Sequence, residues 1–310
     1  MAKTVAIAGA GDVAKYVVEA LESTPHKIVV LSRSNRPWFS GRKSIEIRLT
    51  DYTFSSLKLL LEDVDVLISL LHDNTDFYNA AHLAMIEACQ SPSVKCKRFI
   101  PSECGGDIEK FPDYPLFYVP THGAIRKVLK DQNDVEYTLF NLGWFMDYFV
   151  EQPGKSYMKN IQPVWPLNLN AKKIRIRDCD EPVTFTAGRN VGQALARLVD
   201  VPKWEEYTYV EGETTTWNAV VDMVQKKMPG VRLEIERRSL EEIEESRKQH
   251  ENDVDKKQLW FDFMDQWNGT GAASVPLEKA RRQREMYFKG IHFYKIEEFM
   301  QLGEKTDGVV

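Results

Sequence analysis

The run Val5-Ala6-Ile7-Ala8 has no polar side chain and breaks at once into Gly9-Ala10-Gly11-Asp12-Val13-Ala14, after which apolar residues recur at helical spacing. A strand apolar on both faces must be covered on both, and a strand feeding straight into a helix is how a parallel sheet acquires that cover. The unit repeats along the first half. The pattern predicts strands over Thr4–Ala8, Lys27–Ser32, Ile45–Arg48, Val64–Leu70, Lys97–Pro101 and Glu136–Asn141. Between them it predicts helices over Asp12–Ser23, Phe54–Glu62, Asp76–Gln90 and His122–Asp131. Six such strands alternating with helices imply an α/β fold built on a doubly wound parallel sheet of the Rossmann type.

After Gly143 the texture changes. Pro153, Pro163 and Pro166 punctuate an irregular stretch, followed by short strand candidates at Ile174–Ile176 and Val183–Phe185. Helical spacing returns over Gly188–Val199, Thr215–Lys227 and Leu240–Gln249, and from Asp255 to the C-terminus. We therefore expect two lobes, residues 1–150 and a smaller α+β lobe over 151–310, with the chain free to cross between them. The charged run Glu241–Lys257 reads as a solvated helix face.

Gly9, Gly11 and Ala14 stand between a strand and a helix, the context in which a glycine pattern becomes a dinucleotide-binding turn. Gly9 permits the tight turn, Gly11 lets backbone approach a pyrophosphate, and Asp12 and Val13 begin the helix whose free N–H groups face the phosphates. NAD-selective domains place a carboxylate at the end of the second strand. Here the segment is Leu31-Ser32-Arg33-Ser34. Arg33 can pair with a 2′-phosphate that a carboxylate would repel, so Ser32 and Arg33 point to NADP(H), with Arg36, Arg42 or Lys43 as helpers.

Composition narrows the rest. The 310 residues carry 41 Lys and Arg against 46 Asp and Glu, a net charge of −5, which argues against a nucleic-acid partner. No charged leader with an apolar run opens the chain, and no apolar stretch approaches the roughly 20 residues that cross a bilayer. The cysteines Cys89, Cys96, Cys104 and Cys179 lack CxxC spacing, and no His, Asp, Glu or Cys set has zinc-site spacing. The expectation is a cytoplasmic protein with free thiols, no metal and a small-molecule ligand.

Several segments together resemble the NmrA-like and isoflavone-reductase-like branch of the atypical short-chain dehydrogenases. Besides the first turn and Arg33, they are Arg98-Phe99-Ile100-Pro101-Ser102-Glu103-Cys104-Gly105, similar to the family's RFxPSEFG, and Asn141-Leu142-Gly143-Trp144-Phe145-Met146-Asp147-Tyr148-Phe149. Val183-Thr184-Phe185-Thr186, Asn190-Val191-Gly192 and Thr216-Trp217-Asn218 follow in order. The resemblance implies a Rossmann lobe, a substrate lobe and a cleft between them over the nicotinamide. Many such proteins are NADPH-dependent reductases of aromatic metabolites, and a few bind dinucleotide without chemistry. The reductases carry a lysine in a KxxIR pattern. This chain reads His122-Gly123-Ala124-Ile125-Arg126, with His122 in the lysine's place.

His122 has a reference pKa of about 6.5 and is able to exchange protons near neutrality. Tyr118 lies four residues earlier, an echo of the YxxxK pair, with Pro120 between them breaking a regular helix. Ligands collect at the carboxyl ends of strands, where this chain has His72-Asp73-Asn74-Thr75-Asp76, Ser102-Glu103 and Asn141. Asp73 and Glu103 are candidate acids or bases; capping of the following helix is the competing role for Asp73 and Asp76, and Asn141 is a candidate cofactor contact. His82, inside a helix, reads as a packing or surface residue. Phe117, Trp144, Phe145 and Tyr148 are candidate walls for a flat substrate, as are Phe77, Tyr78, Phe111, Tyr114 and Trp165, with core packing the alternative for each. Three functions stay open: an NADPH-dependent reductase of a bulky aromatic or heterocyclic metabolite, a redox-neutral acid/base enzyme that retains NADP(H), and a dinucleotide-sensing regulator. Oligomeric state is not legible.

Overall fold

A computed structural model describes residues 1–73 and 75–310. The first half alternates as the apolar runs require: β1 (Thr4–Ala8), α1 (Asp12–Glu22), β2 (Lys27–Ser32), a short α2 (Pro37–Ser40), β3 (Ile45–Leu49), α3 (Phe54–Leu60), β4 (Val66–Ser69), α4 (Asp76–Gln90), β5 (Arg98–Ile100), α5 (Ala124–Lys130) and β6 (Glu136–Tyr137). The six strands form one parallel sheet in the order β3-β2-β1-β4-β5-β6. Apolar clusters cover both faces, one shared with α1 and one with α3, α4 and α5. This is the doubly wound arrangement read from the sequence.

Two first-half expectations need correction. The strand expected over Glu136–Asn141 is two strands. Its start, β6, closes the large sheet, whereas β7 (Leu139–Asn141) leaves that sheet and pairs with a later strand. The helix expected from His122 starts at Ala124. Pro120 has no N–H to give, and the segment before α5 is a 3-10 turn over Leu116–Tyr118 followed by a π-helical turn over Val119–Gly123.

The second half adds β8 (Trp144–Phe145), β9 (Leu167–Asn168), β10 (Lys173–Arg177), β11 (Pro182–Thr186), α6 (Gly188–Leu198), β12 (Tyr207–Tyr209), β13 (Glu213–Thr216), α7 (Trp217–Lys227), β14 (Glu234–Arg238) and α8 (Leu240–His250). The helical pattern from Asp255 onward resolves into three helices, α9 (Lys257–Gly269), α10 (Leu277–Tyr287) and α11 (Ile296–Lys305). Small sheets β14-β10-β9 and β13-β11-β8 carry this half, and β12 reaches back to β7. Charged α8 buries only Ile243, as a solvated helix should, and starts with a capping box between Ser239 and Glu242. Among the described residues no helix is long and apolar enough to cross a membrane.

The halves meet most closely where α6 crosses α1. A Cβ on Gly192 would lie 2.4 Å from the Tyr16 carbonyl oxygen and 2.6 Å from its carbon, and one on Gly188 would lie 2.7 Å from the Tyr16 ring. The clash at Gly192 is with backbone, which has no rotamer to change. Gly192→Ala should force the helices apart at a cost of about 1–3 kcal/mol, seen as a lower urea midpoint; an unchanged midpoint would refute this account of the junction.

Candidate active site

The turn after β1 has the geometry a diphosphate site needs. Gly9 adopts φ +110°, a left-handed conformation that a side chain resists, and its Cβ would press on the Leu70 backbone at 3.1 Å. A Cβ on Gly11 would meet nothing within 4 Å, so that side of the turn is open. Gly11, Asp12 and Val13 line a cavity of about 480 Å³. The Asp12 carboxylate, unhelpful beside phosphates, is neutralised by Lys15 Nζ at 3.0 Å.

A second, shallower hollow of about 710 Å³ lies beyond the ends of β2 and β3 and includes Arg33, Thr50, Asp51, Ser56 and Phe77. The Arg33 guanidinium sits 4.8 Å from the Phe77 ring centroid, exposed and free of any carboxylate among the described residues. Of the suggested helpers, Arg42 is committed elsewhere: it pairs with Glu19 and Glu22 and stacks on Trp38 at 3.9 Å. Ser32 is buried, and its hydroxyl donates to the Ser34 carbonyl at 2.8 Å, shaping the turn that carries Arg33.

The first, deeper cavity continues from the Gly11 turn past Asp73, Glu103, Cys104, Tyr118 and His122 to a wall of Phe117, Trp144, Phe145 and Tyr148. Thus it brings together most of the residues singled out from the sequence. It also contains Trp260, Met264 and Trp267 of α9, which the sequence reading missed. Their three- and four-residue spacing marks one helix face, but nothing local says what that face meets. Phe117 and Trp260 pack edge to face with centroids 4.6 Å apart, joining the halves across the cleft. Phe111, Tyr114 and Trp165 pack with the second-half core, and Tyr78 is fully buried.

Four rings make a column into this cleft. His82 stacks on Tyr78 at 4.0 Å, Tyr78 on His122 at 4.3 Å, and His122 on Tyr118 at 3.5 Å with planes 7° apart. The irregular turn around Pro120 is what brings Tyr118 and His122 face to face. Thr121 Oγ1 lies 2.9 Å from His122 Nδ1 and 3.4 Å from the Tyr118 carbonyl. A neutral His122 ring has one N–H and one acceptor nitrogen, and Thr121 can either donate to Nδ1 or accept from it. Burial, then the positive charge of Arg126, hold the His122 pKa well below the usual value, so the ring is neutral at pH 7. Burial pushes the Tyr118 hydroxyl up, with nearby Cys104 and Glu103 adding to the shift. That hydroxyl has no protein partner among the described residues.

Three other candidates are already engaged. Glu103 is 2% exposed and holds Arg126 through two contacts, Nε to Oε1 at 3.0 Å and Nη2 to Oε2 at 2.6 Å. Burial raises its pKa while Arg126 pulls it down, and the bidentate geometry is that of an ion pair. Asn141 is fully buried; its Oδ1 accepts from Gly105 N at 3.1 Å and its Nδ2 donates to the Leu139 carbonyl at 3.0 Å. It therefore supports the Gly105 loop and does not line the cavity. Asp73 accepts from the N–H of Thr75 at 2.7 Å and from its hydroxyl, while Thr75, and neither aspartate, caps α4. Asn74 lies outside the described residues.

The column makes a pH prediction. Burial holds His82 near pKa 4 against 6.5 for a free imidazole, and His122 is depressed as well. The unfolded chain then binds more protons in this window, so stability present above pH 6.5 is lost as pH falls toward 4, by about 1.4 kcal/mol per unit for each fully depressed group. Urea midpoints at pH 7 and pH 5 should differ less in His82→Phe than in the wild type; equal differences would contradict a neutral buried His82.

The profile of the NmrA-like family matches residues 1–300. The chain is 37% identical to a protein named oxidoreductase swnR from Arthroderma benhamiae, with 99% of both chains covered. It is 36% identical to the protein of that name from Metarhizium robertsii, again over 99% of both. Its fold is similar to that of an isoflavone reductase, with TM-score 0.74 and 17% identity over 97% of this chain and 99% of that one. It is also similar to leucoanthocyanidin reductase from Vitis vinifera in its binary complex with NADPH, with TM-score 0.72 and 18% identity over 97% and 100%.

Proposed function

The chain belongs to the NmrA-like family, and from that premise we propose that it is an NADPH-dependent reductase of a bulky aromatic or heterocyclic metabolite. The observation that carries the reading is one continuous cavity running from the open side of the Gly11 turn to the walls Phe117, Trp144, Phe145 and Tyr148. That is the layout a coenzyme and a flat substrate need if they are to meet. Relatives aligned over the whole chain are named oxidoreductases, and one protein of similar fold is described in complex with NADPH.

The residues fit the coenzyme. The turn leaves room where Gly11 has no side chain, backbone N–H groups of α1 favour anionic oxygens, and Arg33 stands exposed at the end of β2 where a carboxylate would select NAD. When bound, the nicotinamide supplies a hydride to an electrophilic carbon. Tyr118 is our choice for the proton donor, because its hydroxyl is unengaged at the cleft. His122 is the poorer choice, because a ring neutral at pH 7 lacks the more acidic imidazolium proton. As a neutral ring it keeps one nitrogen able to accept, and it supports the Tyr118 ring by stacking. The same facts weaken the redox-neutral alternative, since the carboxylates that motivated it are held by Arg126 and Thr75.

Two measurements test the reading. Titrated by calorimetry, the wild type should bind NADPH more tightly than NADH. Arg33→Asp should remove most of that preference, costing NADPH on the order of tenfold or more, as for a lost charge-assisted contact, with little change for NADH; equal losses would reject the assignment. In single-turnover reactions with stoichiometric NADPH and a panel of aromatic ketones, enones and cyclic imines, absorbance at the reduced nicotinamide band should fall as product forms. Tyr118→Phe should slow that step about 10²-fold or more without altering NADPH affinity. Product formed with unchanged absorbance would favour the redox-neutral enzyme.

A further inference from the structure

Two of the three carboxylates in the walls of the deeper cavity are paired with cations from outside its lining. Asp12 is answered by Lys15 and Glu103 by Arg126, while Asp73 keeps its charge and accepts from Thr75. His122 carries no charge at pH 7. Against this background Lys159 is the single lysine or arginine lining the cavity among the described residues, and it makes no ion pair or hydrogen bond with any of them. It comes from the irregular, proline-punctuated stretch after Phe149, not from α5, whose approach carries His122.

The chain just before Lys159 is firmly held. Ser156 Oγ donates to Asp147 at 3.0 Å, Tyr157 N donates to the Tyr16 hydroxyl at 3.0 Å, and Met158 N donates to Ser156 Oγ at 2.9 Å. The Tyr157 hydroxyl donates to Glu19 at 2.5 Å, and its ring packs edge-on against Tyr16 and Trp38 with centroids 4.9 and 5.5 Å away. These ties fix the backbone from which the lysine projects. Lys159 is exposed, whereas His122, Trp144 and Trp267 are buried. The ammonium therefore belongs to the water-facing end of the cavity and the aromatic surfaces to its floor.

We infer that Lys159 holds an anionic group on the substrate, so that this site selects compounds with a flat apolar ring system and an acidic substituent, a carboxylate or an ionised phenol, at the end remote from the reacting carbon. The inference rests on reading this cavity as the substrate site. An apolar body gains by leaving water for the aromatic floor, while a carboxylate would be penalised there. At the mouth it keeps part of its hydration and gains three rotatable N–H donors on a long flexible stem. His122, neutral and buried, offers nothing equivalent to an anion.

The test compares 2-naphthoate with 2-naphthamide, equal in shape and different in charge, titrated by calorimetry against the protein with and without saturating NADPH. Naphthoate should bind about three- to tenfold more tightly, the range for a partly exposed charged contact. Lys159→Met should bring naphthoate down to the naphthamide level with naphthamide and NADPH affinities unchanged, and Lys159→Arg should keep the preference. Equal wild-type affinities, a preference that survives in Lys159→Met, or no binding of either compound at millimolar concentration would overturn the inference. So would a loss in Lys159→Met confined to NADPH, which would assign the lysine to the coenzyme phosphates. Failure of the coenzyme reading shows separately, as absent NADPH uptake beside an intact, Lys159-dependent naphthoate preference.

Discussion

The carboxylate of Asp147 is where helix α1, the second-half helix α6 and the segment after Phe149 are joined. It is 2% exposed and accepts from the Tyr16 hydroxyl at 2.6 Å, the Gly188 N–H at 2.6 Å and the Ser156 hydroxyl at 3.0 Å. Burial raises its pKa, and the three donors each pull it back. A carboxylate in that position is tolerated because its lone pairs are met; left bare it would be a severe local cost. The donors come from α1, from the first residue of α6 and from the strap leading to Lys159. One group thus sets the mutual position of the glycine turn before α1 and the elements that close the cavity.

The same junction explains two glycines. α6 approaches α1 so closely that Gly188 and Gly192 have no room for a methyl group against Tyr16. Close approach in turn puts the Tyr16 hydroxyl within reach of Asp147. Packing and hydrogen bonding therefore depend on one another here. Tyr16 supplies a donor only because the glycines admit its ring, and α6 stays against α1 partly because the donor is satisfied.

Much of the first half was legible in the sequence, because buried parallel strands leave an unmistakable run of apolar residues and glycine turns mark where they end. The places of β1 to β5 along the chain, and of Arg33 at the end of β2, follow from that. What was not legible depends on partners distant in the chain. Thr138 separates β6 from β7, and its hydroxyl lies 2.7 Å from that of Thr208, but no local pattern says that Leu139–Asn141 pairs with Tyr207–Tyr209. Asn141 looked like a cofactor contact because it ends a strand; its amide is spent on Gly105 and Leu139. Glu103 looked like a free acid because Arg126 is 23 residues away, and the π-helical turn that brings Arg126 back to it has no simple sequence period. Trp260, Met264 and Trp267 became recognisable as cavity walls only once α9 had a place to lie.

The histidine at position 122 is best understood from its surroundings. It lies between two tyrosine rings, at 4.3 and 3.5 Å, with the Arg126 guanidinium near enough to oppose a second positive charge. An ammonium there would lose most of its water and find Glu103, which lines the same cavity, already bound in two places by Arg126. A flat neutral ring loses little by the same burial and gains two stacking contacts. The environment therefore selects against a cation at 122 and for an aromatic ring able to accept a hydrogen bond. The lysine that the cavity does have, Lys159, stands at its solvent-facing end, where an ammonium keeps its water.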